Sequence, residues 1–448
     1  MRYPGVHLTR QITYAKATQT IYNRKETKKM EEKKIRLGIF GLGRGASFYS
    51  VIKAHGGEVV AICDGNEERI NSSLEKLGED ADKVTAYTDF EEFFKHDMDA
   101  VFIANCFHEH ASYAIRFLEK NVHVLSECTS NGTMAEGVAL VRAAEKSKAH
   151  YMLAENYPYM LFNQEMKKVY DGGTLGKAIY AEGEYNHPVG PDDAKFTLRY
   201  KPYEKHWRHY LPVTYYITHS LAPIMHVTGA FPRRVTAMPV YAPLPDNYAS
   251  ASHVGDQAAI ITCLNDDNSV FKITGCAHFG AHGNSYRICC VNGQMENVRG
   301  SGGRVMLRYN AWDIPEGMKE NNYYLPEWEP EVKEDIEKCG HGGGDYFIFR
   351  EFFKSIRTNT KPDFDVYFAT TMASVAILGH RSLLERGVPY DIPDFRKEED
   401  RALYENDRIS PFYGQDGSEP TIQCCSNADY LPSEAQLAKY RKIINKEI

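Results

Sequence analysis

A short apolar strand pattern that runs directly into a glycine-rich loop and then into a helix is the feature that most constrains the fold. The strand pattern is Ile35–Phe40, and the helical pattern after the loop extends to about Ala54. Further strand and helix patterns alternate along the chain: strands at Glu58–Cys63, Ala100–Ile103, Val122–Leu125 and Tyr151–Leu153, and helices at Glu67–Leu77, His108–Lys120 and Met134–Ser147. The last of these helices begins with Thr133 and Glu136 at capping-box spacing. The alternation predicts an α/β fold with a parallel, doubly wound sheet.

The glycine-rich loop predicts an anion-binding turn. Gly41 permits the tight turn that leaves the strand, and Gly43 lets the backbone approach a pyrophosphate closely. Arg44 begins the helix whose N-terminal amides would face that anion. Gly45 gives the loop additional backbone freedom, and Ala46 occupies the position of the third glycine in the usual dinucleotide-binding pattern. Such a loop is often only a turn, but its position between a strand and a helix favours cofactor binding.

An acidic residue at the end of the second strand indicates which dinucleotide is bound. Asp64 follows that strand directly, where a carboxylate can bind a ribose 2′-hydroxyl. A carboxylate there would repel a 2′-phosphate, so the sequence favours NAD over NADP. The alternative interpretation of Asp64 is a solvated loop acid.

The composition narrows the class of protein. The 448 residues carry a net charge of −7 and a pI of about 6.2, so the basic surplus of a nucleic-acid binder is missing. The most apolar stretch, Ala369–Leu378, is about half of the roughly 18 residues that a membrane span needs, and it predicts a buried helix. The ten cysteines form no C-x-x-C pair, which indicates a reduced, cytoplasmic protein.

A chain of this length predicts two domains with tails. Together with the family resemblance given in the next paragraph, this length implies an N-terminal extension (1–33), a dinucleotide-binding Rossmann domain (34–155), a substrate-binding and oligomerisation α/β domain (156–395) and a C-terminal arm (396–448). Residues 1–29 precede a second methionine, Met30, and are interpreted as an upstream extension, with a targeting peptide as the alternative. A polar helix pattern after Pro432 predicts a docked arm or a subunit contact.

Three segments resemble the Gfo/Idh/MocA oxidoreductases, namely Asp99–His110, Asn121–Glu127 and Asp365–Phe395. The resemblance extends from about Lys34 to Phe395. It implies a Rossmann domain followed by an α/β domain with a large, mostly antiparallel open sheet. That sheet forms the substrate wall and often an oligomer interface, so the resemblance implies NAD, a small carbohydrate substrate and a homo-oligomer, with neither nucleic acid nor membrane as a partner.

The chain departs from that family in two places. The family lysine that usually follows Glu127 is replaced by Cys128, although Glu127 can still contact the nicotinamide ribose. Tyr215 replaces the family aspartate, while His219 keeps the family histidine position. The segment from Tyr216 to Pro223 resembles the NAD-dependent α-N-acetylgalactosaminidase branch of the glycoside hydrolases, which lacks the lysine.

These residues imply chemistry by hydride transfer. An imidazole suits removal of a hydroxyl proton, so His219 is the candidate base, with a core histidine as the alternative. Tyr216 is the candidate for a second proton transfer, aided by a nearby cation such as nicotinamide or Arg208; the alternative is a packing tyrosine. Three functions stay open: an NAD-dependent oxidoreductase acting on a carbohydrate or polyol, a redox-cycling glycosidase with bound NAD, and a non-catalytic NAD sensor.

Further candidates follow from position. The expected cofactor contacts are Asn105, His110 and Asn156, and the expected substrate contacts are Tyr159, Tyr185, His187, Trp207, Arg208 and His341. Trp207 is predicted to be a sugar platform, and a bend at the glycines between His341 and Asp345 would bring both into the pocket. Three histidine pairs have ligand-compatible spacing, His108/His110, His206/His209 and His278/His282, but they lack carboxylate or thiolate partners. We therefore expect no metal.

Overall fold

The computed structural model describes residues 33–193, 205–337 and 339–445. The predicted N-terminal extension, residues 1–33, lies outside these ranges except for Lys33, as do the last three residues of the predicted arm. The predicted domain boundaries at residues 155 and 395 stay predictions.

The first part of the fold is a six-stranded parallel sheet with helices between its strands. Its elements in chain order are β1 (Ile35–Phe40), α1 (Leu42–Gly45), α2 (Tyr49–Ala54), β2 (Gly57–Cys63), α3 (Glu67–Leu77), β3 (Thr85–Tyr87), α4 (Phe90–Lys95), β4 (Ala100–Ile103), α5 (His110–Glu119), β5 (His123–Ser126), α6 (Met134–Lys146) and β6 (Tyr151–Leu153). The strand order is β3-β2-β1-β4-β5-β6, the doubly wound arrangement that the alternation predicted. All of β4 is buried, as expected for a central parallel strand.

Two local features differ from the sequence prediction. The helix expected after the glycine loop is divided into α1 and α2, because Phe48 lies between them and its buried ring packs 5.2 Å from both Phe102 and Phe349. Strand β3 was not predicted; it has only three residues, none of them fully buried, so its apolar pattern is weak. Helix α6 has the predicted capping box, with Thr133 and Glu136 both engaged.

The second part of the fold is a nine-stranded, mostly antiparallel sheet with helices against it. Its elements are α7 (Leu161–Asp171), β7 (Ala178–Asn186), α8 (Thr218–Thr228), β8 (Pro232–Tyr241), β9 (Asp256–Asn265), β10 (Val270–Ala277), β11 (Gly283–Cys290), β12 (Gly293–Asn297), β13 (Val305–Tyr309), β14 (Asn321–Tyr324), α9 (Pro330–Glu337), α10 (Gly344–Thr358), α11 (Val366–Leu384), β15 (Tyr390–Asp391), α12 (Glu398–Ala402) and α13 (Glu434–Ile444). The strand order is β14-β13-β12-β11-β7-β10-β9-β8-β15, and β7 and β10 are its parallel pair. The predicted fold class is confirmed.

Helix α8 lies unusually close to the second sheet. A Cβ atom built on Gly183 of β7 would lie only 1.9 Å from the carbonyl oxygen of Ser220 in α8. Glycine is therefore required at this position for the helix to approach the strand. The close approach fixes the start of α8, and with it the side chain of His219, over the middle of the sheet.

The predicted C-terminal arm is docked along the rest of the molecule. Arg381 of α11 binds Asp407 through two hydrogen bonds of 2.6 Å. The ring of Phe412 packs edge-on against Tyr215 at 5.3 Å. Helix α11 contains the apolar stretch and is almost entirely buried. Among the described residues, no helix has both the length and the hydropathy to cross a bilayer.

Candidate active site

One cavity of about 460 Å³ gathers most of the predicted site residues at the carboxyl ends of the parallel strands and over the second sheet. The predicted residues that line it are Arg44, Asn105, His110, Glu127, Asn156, His187, Trp207, Arg208, Tyr216, His219 and His341. These residues come from many separate elements, so the fold brings them together.

The glycine loop leads into the N-terminus of helix α1 beside this cavity. Gly41 has a φ of 94°, and the short helix Leu42–Gly45 follows it at once. The Oδ2 atom of Asp64 accepts a hydrogen bond of 2.9 Å from the backbone N–H of Leu42, which ties the loop to the end of β2. Asp64 also lies 3.4 Å from a guanidinium nitrogen of Arg69. The Arg69 guanidinium partly offsets the negative charge of Asp64, and that charge was the reason to expect NAD and not NADP. The preference for NAD therefore stays a prediction.

Three cavity residues carry polar atoms that suit a nicotinamide nucleotide. The Oδ1 atoms of Asn105 and Asn156 and the Nε2 atom of His110 are buried without a hydrogen-bond partner among the described residues. His110 Nδ1 donates to the carbonyl oxygen of Thr129 at 2.8 Å, so Nε2 is left as an acceptor. A buried hydrogen-bond acceptor lowers the stability of the folded protein unless a donor pairs with it. Ribose hydroxyls and a carboxamide supply such donors, and the residues therefore fit the cofactor.

His219 is held by a buried carboxylate. Its Nδ1 atom lies 2.8 Å from Oε1 of Glu155, whose side chain is completely buried. Burial opposes ionisation of Glu155, but the His219 imidazole and the Cys128 thiol together bring the pKa of Glu155 below its usual value. Glu155 is therefore a carboxylate that accepts the Nδ1 proton. The Nε2 atom of His219 is left to take a proton from a ligand.

Aromatic rings fix the plane of this imidazole. The Tyr157 ring stacks on His219 with 3.9 Å between ring centroids, and the Tyr185 ring meets it edge-on at 5.1 Å. The hydroxyl of Tyr286 donates to the carbonyl oxygen of His219 at 2.5 Å. Tyr185 is buried behind His219 and is not among the described residues that line the cavity. The structure therefore gives Tyr185 a supporting position instead of the predicted substrate contact.

Tyr216 lies beside the imidazole, with 5.2 Å between the two ring centroids. Burial raises the pKa of Tyr216 well above its usual value, and Arg208 only partly opposes this. The expected help from a cation is present, but burial is the larger effect. The phenol is protonated in the absence of a ligand.

A polar network holds the cofactor side of the cavity. The Oδ1 atom of Asp345 accepts from Arg44 at 2.8 Å and from Asn156 at 2.9 Å, while Oδ2 lies 2.9 Å from His341 Nδ1. Burial opposes ionisation of Asp345, but His341 and Arg44 lower its pKa to about 2. The predicted bend exists: residues 341–343 all have positive φ immediately before α10.

Two of the expected substrate contacts are covered by neighbouring side chains, and only one of them lines the cavity. Tyr159 is buried, its hydroxyl donates to Asp363 at 3.2 Å, and its ring packs on Phe364, so it belongs to the core. Trp207 lines the cavity but is not an open platform. Phe107 stacks on the indole at 5.2 Å, and the guanidinium carbon of Arg208 lies 4.4 Å from its centroid.

The histidine pairs do not assemble a metal centre in the described part of the chain. No group of three or more His, Cys, Asp or Glu side chains there could hold an ion. His206 and His209 have ring centroids 6.1 Å apart, and His187 approaches His282 at 5.1 Å.

Comparison with known proteins agrees with this geometry. Residues 35–155 match the profile described as the Gfo/Idh/MocA oxidoreductase family, NAD-binding Rossmann fold, and residues 287–400 match the glycosyl hydrolase 109 C-terminal domain. The first of these segments is therefore a Gfo/Idh/MocA-type NAD-binding Rossmann domain. The similarity of the chain to glycosyl hydrolase family 109 extends well beyond the second matched segment, as the relatives below indicate.

The similar sequences include proteins named as glycosyl hydrolase family 109. One from Saccharopolyspora erythraea is 24% identical over 393 residues, covering 81% of this chain and 83% of that protein. One from Streptomyces niveus is 26% identical over 394 residues, covering 82% and 78%. A levoglucosan dehydrogenase solved with NADH and levoglucosan has a TM-score of 0.65 at 16% identity, covering 81% of this chain and all of that one, and supports the fold alone.

Cys128 occupies the position where the resemblance to the Gfo/Idh/MocA oxidoreductases implies a lysine. Its thiol donates to Oε2 of Glu155 at 3.1 Å. Burial, with Glu155 and Glu127 nearby, raises the pKa of Cys128 well above its usual value. At this position the chain has a neutral hydrogen-bond donor.

Sequence reasoning missed the partners of His219. Neither Glu155 nor Tyr157 was among the candidates selected from the sequence. Their position could have identified them, because both residues follow β6 closely. They therefore lie at the carboxyl edge of the parallel sheet, where functional side chains are usually found. Nothing in the sequence indicates which acid along the chain pairs with His219.

Proposed function

We propose that the protein is an NAD-dependent glycosidase. It would oxidise a sugar carbon by hydride transfer, cleave the glycosidic bond and return the hydride to the sugar within the same turnover. The observation that carries this proposal is the pair formed by His219 and Glu155, with Cys128 in place of lysine. The similarity to family 109 proteins along most of the chain supports it. Bound NAD would supply a reversible hydride acceptor for a sugar carbon.

The chain's own residues divide the proton chemistry. His219 Nε2 would take the hydroxyl proton of the reacting carbinol, and Glu155 would stabilise the imidazolium that forms. Oxidation of that carbinol acidifies the neighbouring C–H, so a second proton must leave before the glycosidic bond breaks. The leaving sugar would depart as an alcohol after gaining a proton, water would add to the unsaturated ketone that remains, and the hydride would return to the carbonyl carbon. Tyr216 is our candidate for taking that second proton. Because burial raises the pKa of Tyr216, it needs a facing cation to act as a base, and Arg208 is placed to contribute.

A second candidate function is net oxidation of a carbohydrate or polyol by the same first step. The His219–Glu155 pair by itself is sufficient to remove one hydroxyl proton, and the fold is that of sugar dehydrogenases. A dehydrogenase would release the oxidised sugar instead of continuing to elimination. A third possibility is a non-catalytic NAD sensor. Such a protein would not require a buried carboxylate paired with an imidazole.

One experiment separates the three. Purified protein is incubated with NAD and candidate sugars and glycosides, while NADH absorbance and released sugar are followed in deuterated water. Sugar release without net NADH, with deuterium at the carbon next to the oxidised one, supports the glycosidase. Stoichiometric NADH supports the dehydrogenase. Binding of NAD with neither product supports the sensor and contradicts the proposal.

We also propose a cytoplasmic homo-oligomer. All ten cysteines are free thiols, which suits a reducing compartment. The second sheet exposes large apolar side chains, including Ile179, Met238 and Val291, each more than half exposed. Light scattering of the purified protein tests the assembly, because a monomer at micromolar concentration would contradict it.

A further inference from the structure

The far wall of the cavity is built by segments that the proposed chemistry does not use. Tyr440 of α13 lines the cavity, and so do Ser250, Ser252 and Gln257. Tyr440 is 5% exposed, and its hydroxyl lies 3.5 Å from Nε2 of the buried His209. The contacts described above for His219 involve none of these residues. The cavity therefore has a second group of polar and aromatic side chains away from the candidate base.

Helix α13 is held in this position by specific contacts. Ser433 and Gln436 form a capping box, and the Gln436 side chain also donates to the carbonyl oxygen of Leu244 at 2.7 Å. Lys439 lies 2.7 Å from Oδ1 of Asp192. These polar contacts precede Tyr440 along the helix and hold its first two turns in place. Tyr440 follows them and lines the cavity.

The packing of α13 is separate from the main core. Ala249, Tyr440 and Ile443 form a small apolar cluster of their own, with Ala251 and Ile444 at its edge. The helix therefore closes the cavity as an attached wall, while the sheets are held by the large core. The rings of Tyr157 and Tyr185 beside His219 belong to a third, separate cluster that does not include Tyr440. We therefore expect a change at Tyr440 to alter the wall and not the surroundings of His219.

We propose that Tyr440 and His209 form a binding site for the sugar residue on the leaving-group side of the glycosidic bond. This inference rests on the proposed glycosidase function and names its substrate class, a glycoside of two or more sugar units. A phenol ring offers a flat apolar face to a sugar ring, and hydroxyl, imidazole and amide groups bind sugar hydroxyls. The wall supplies all of these through Tyr440, His209, Ser250 and Gln257.

The site is distinct from what the family match assigns. The matched C-terminal domain ends at residue 400, whereas α13 spans Glu434–Ile444. Selectivity for the leaving group would then be carried by a segment that lies outside both matched domains.

Variants at one position test the proposal. Tyr440→Ala removes the ring, Tyr440→Phe removes only the hydroxyl that meets His209, and Lys442→Ala is an exposed control on the same helix. The kcat/KM values are measured for a disaccharide and for the methyl glycoside of the same reacting sugar. We expect Tyr440→Ala to lower kcat/KM for the disaccharide by about tenfold and to leave the methyl glycoside within about twofold. Tyr440→Phe should have a smaller effect in the same direction, and Lys442→Ala none.

Other outcomes overturn the site. If Tyr440→Ala lowers both substrates equally, or neither, the tyrosine does not select the leaving group. If Tyr440→Ala does not fold, as judged by circular dichroism and calorimetric NAD binding, Tyr440→Phe decides: unchanged selectivity contradicts the proposal.

Failure of the underlying function can be recognised separately. If the wild-type protein releases sugar from neither compound, the glycosidase proposal fails, and calorimetric titration with the disaccharide and the monosaccharide replaces kinetics. Weaker disaccharide binding by Tyr440→Ala, with unchanged monosaccharide binding, would still support the site. Equal binding by wild type and variant would overturn it.

Discussion

The Nδ1 atom of His219 lies 2.8 Å from the Oε1 atom of Glu155, although 64 residues separate them along the chain. The carboxylate is fully buried, and it also accepts hydrogen bonds from the Cys128 thiol and the backbone N–H of Tyr157. This pair orients the candidate base and stabilises it when it is protonated. The effects expected from changes at His219 and Glu155 depend on this pair.

Replacing His219 by Ala should remove turnover while leaving the cofactor in place. The imidazole is the expected acceptor of the hydroxyl proton, and a positioned general base contributes about 10²- to 10⁴-fold to the rate. Calorimetric NAD binding should be unchanged because the glycine loop and the polar network around Asp345 are untouched. Turnover at the wild-type rate would show that another group is the base.

Replacing Glu155 by Gln should lower kcat by about 10- to 100-fold and change its pH dependence. The amide keeps the size of the side chain but no longer stabilises the imidazolium. The acid limb of the kcat/KM profile should therefore move to lower pH. Glu155→Asp, which keeps the charge, should leave the limb closer to that of wild type. An unchanged limb in Glu155→Gln contradicts the electrostatic role.

Cys128 tests whether a neutral donor is sufficient where the family has lysine. We expect Cys128→Ala to retain kcat within about fivefold, since the thiol is protonated and loses only one hydrogen bond to Glu155. Cys128→Lys should reduce kcat much more, because a buried ammonium would pair with Glu155 and compete with His219. Steady-state rates of both variants provide the comparison; higher activity in the lysine variant would contradict this account.

Asp345 should make stability depend on pH in the acidic range. Its pKa is about 2 in the folded protein, below the value of about 4 in an unfolded chain. The stabilisation is therefore complete above pH 4 and is lost as the pH falls towards 2. Asp345→Asn should cost about 2 kcal/mol at pH 7 and progressively less below pH 4. Urea unfolding at several pH values measures this, with the exposed Asp82→Asn as control.

Gly183 should tolerate no side chain. A Cβ atom there would meet the Ser220 carbonyl oxygen at 1.9 Å, so Gly183→Ala must displace α8 and the base it carries. We expect a loss of roughly 1–3 kcal/mol in stability together with lower kcat. Gly379→Ala in α11 is the matched control, because its Cβ would make an ordinary contact of 3.5 Å with Val235. Thermal unfolding and kcat of the two variants check the difference.

Local patterns allowed much of the first sheet to be predicted. Helix α3 spans the predicted residues, α6 has the predicted capping box, and the strands before and after the glycine loop are where expected. Weak patterns failed: the edge strand β3 was missed, and the break at Phe48 depends on rings from α10 and β4 that only packing supplies.

The site was predicted in the same uneven way. His219 and Tyr216 were found from a short motif, and both line the cavity. Tyr159 and Tyr185 were expected to contact substrate, but neither lines the cavity, because position along the sequence does not determine which side chains cover a ring. The partners of both rings lie far away along the chain, at Asp363 for Tyr159 and at His219 for Tyr185.

What the sequence alone determined is local: a strand, a glycine turn and a helix that together fit a dinucleotide, since backbone sterics and apolar periodicity act over a few residues. What only the tertiary structure decided is long-range, namely the pairing of His219 with Glu155 and the placement of Tyr440 in the cavity wall. Such contacts depend on how whole elements pack, because the energy that selects them comes from burial shared among many residues.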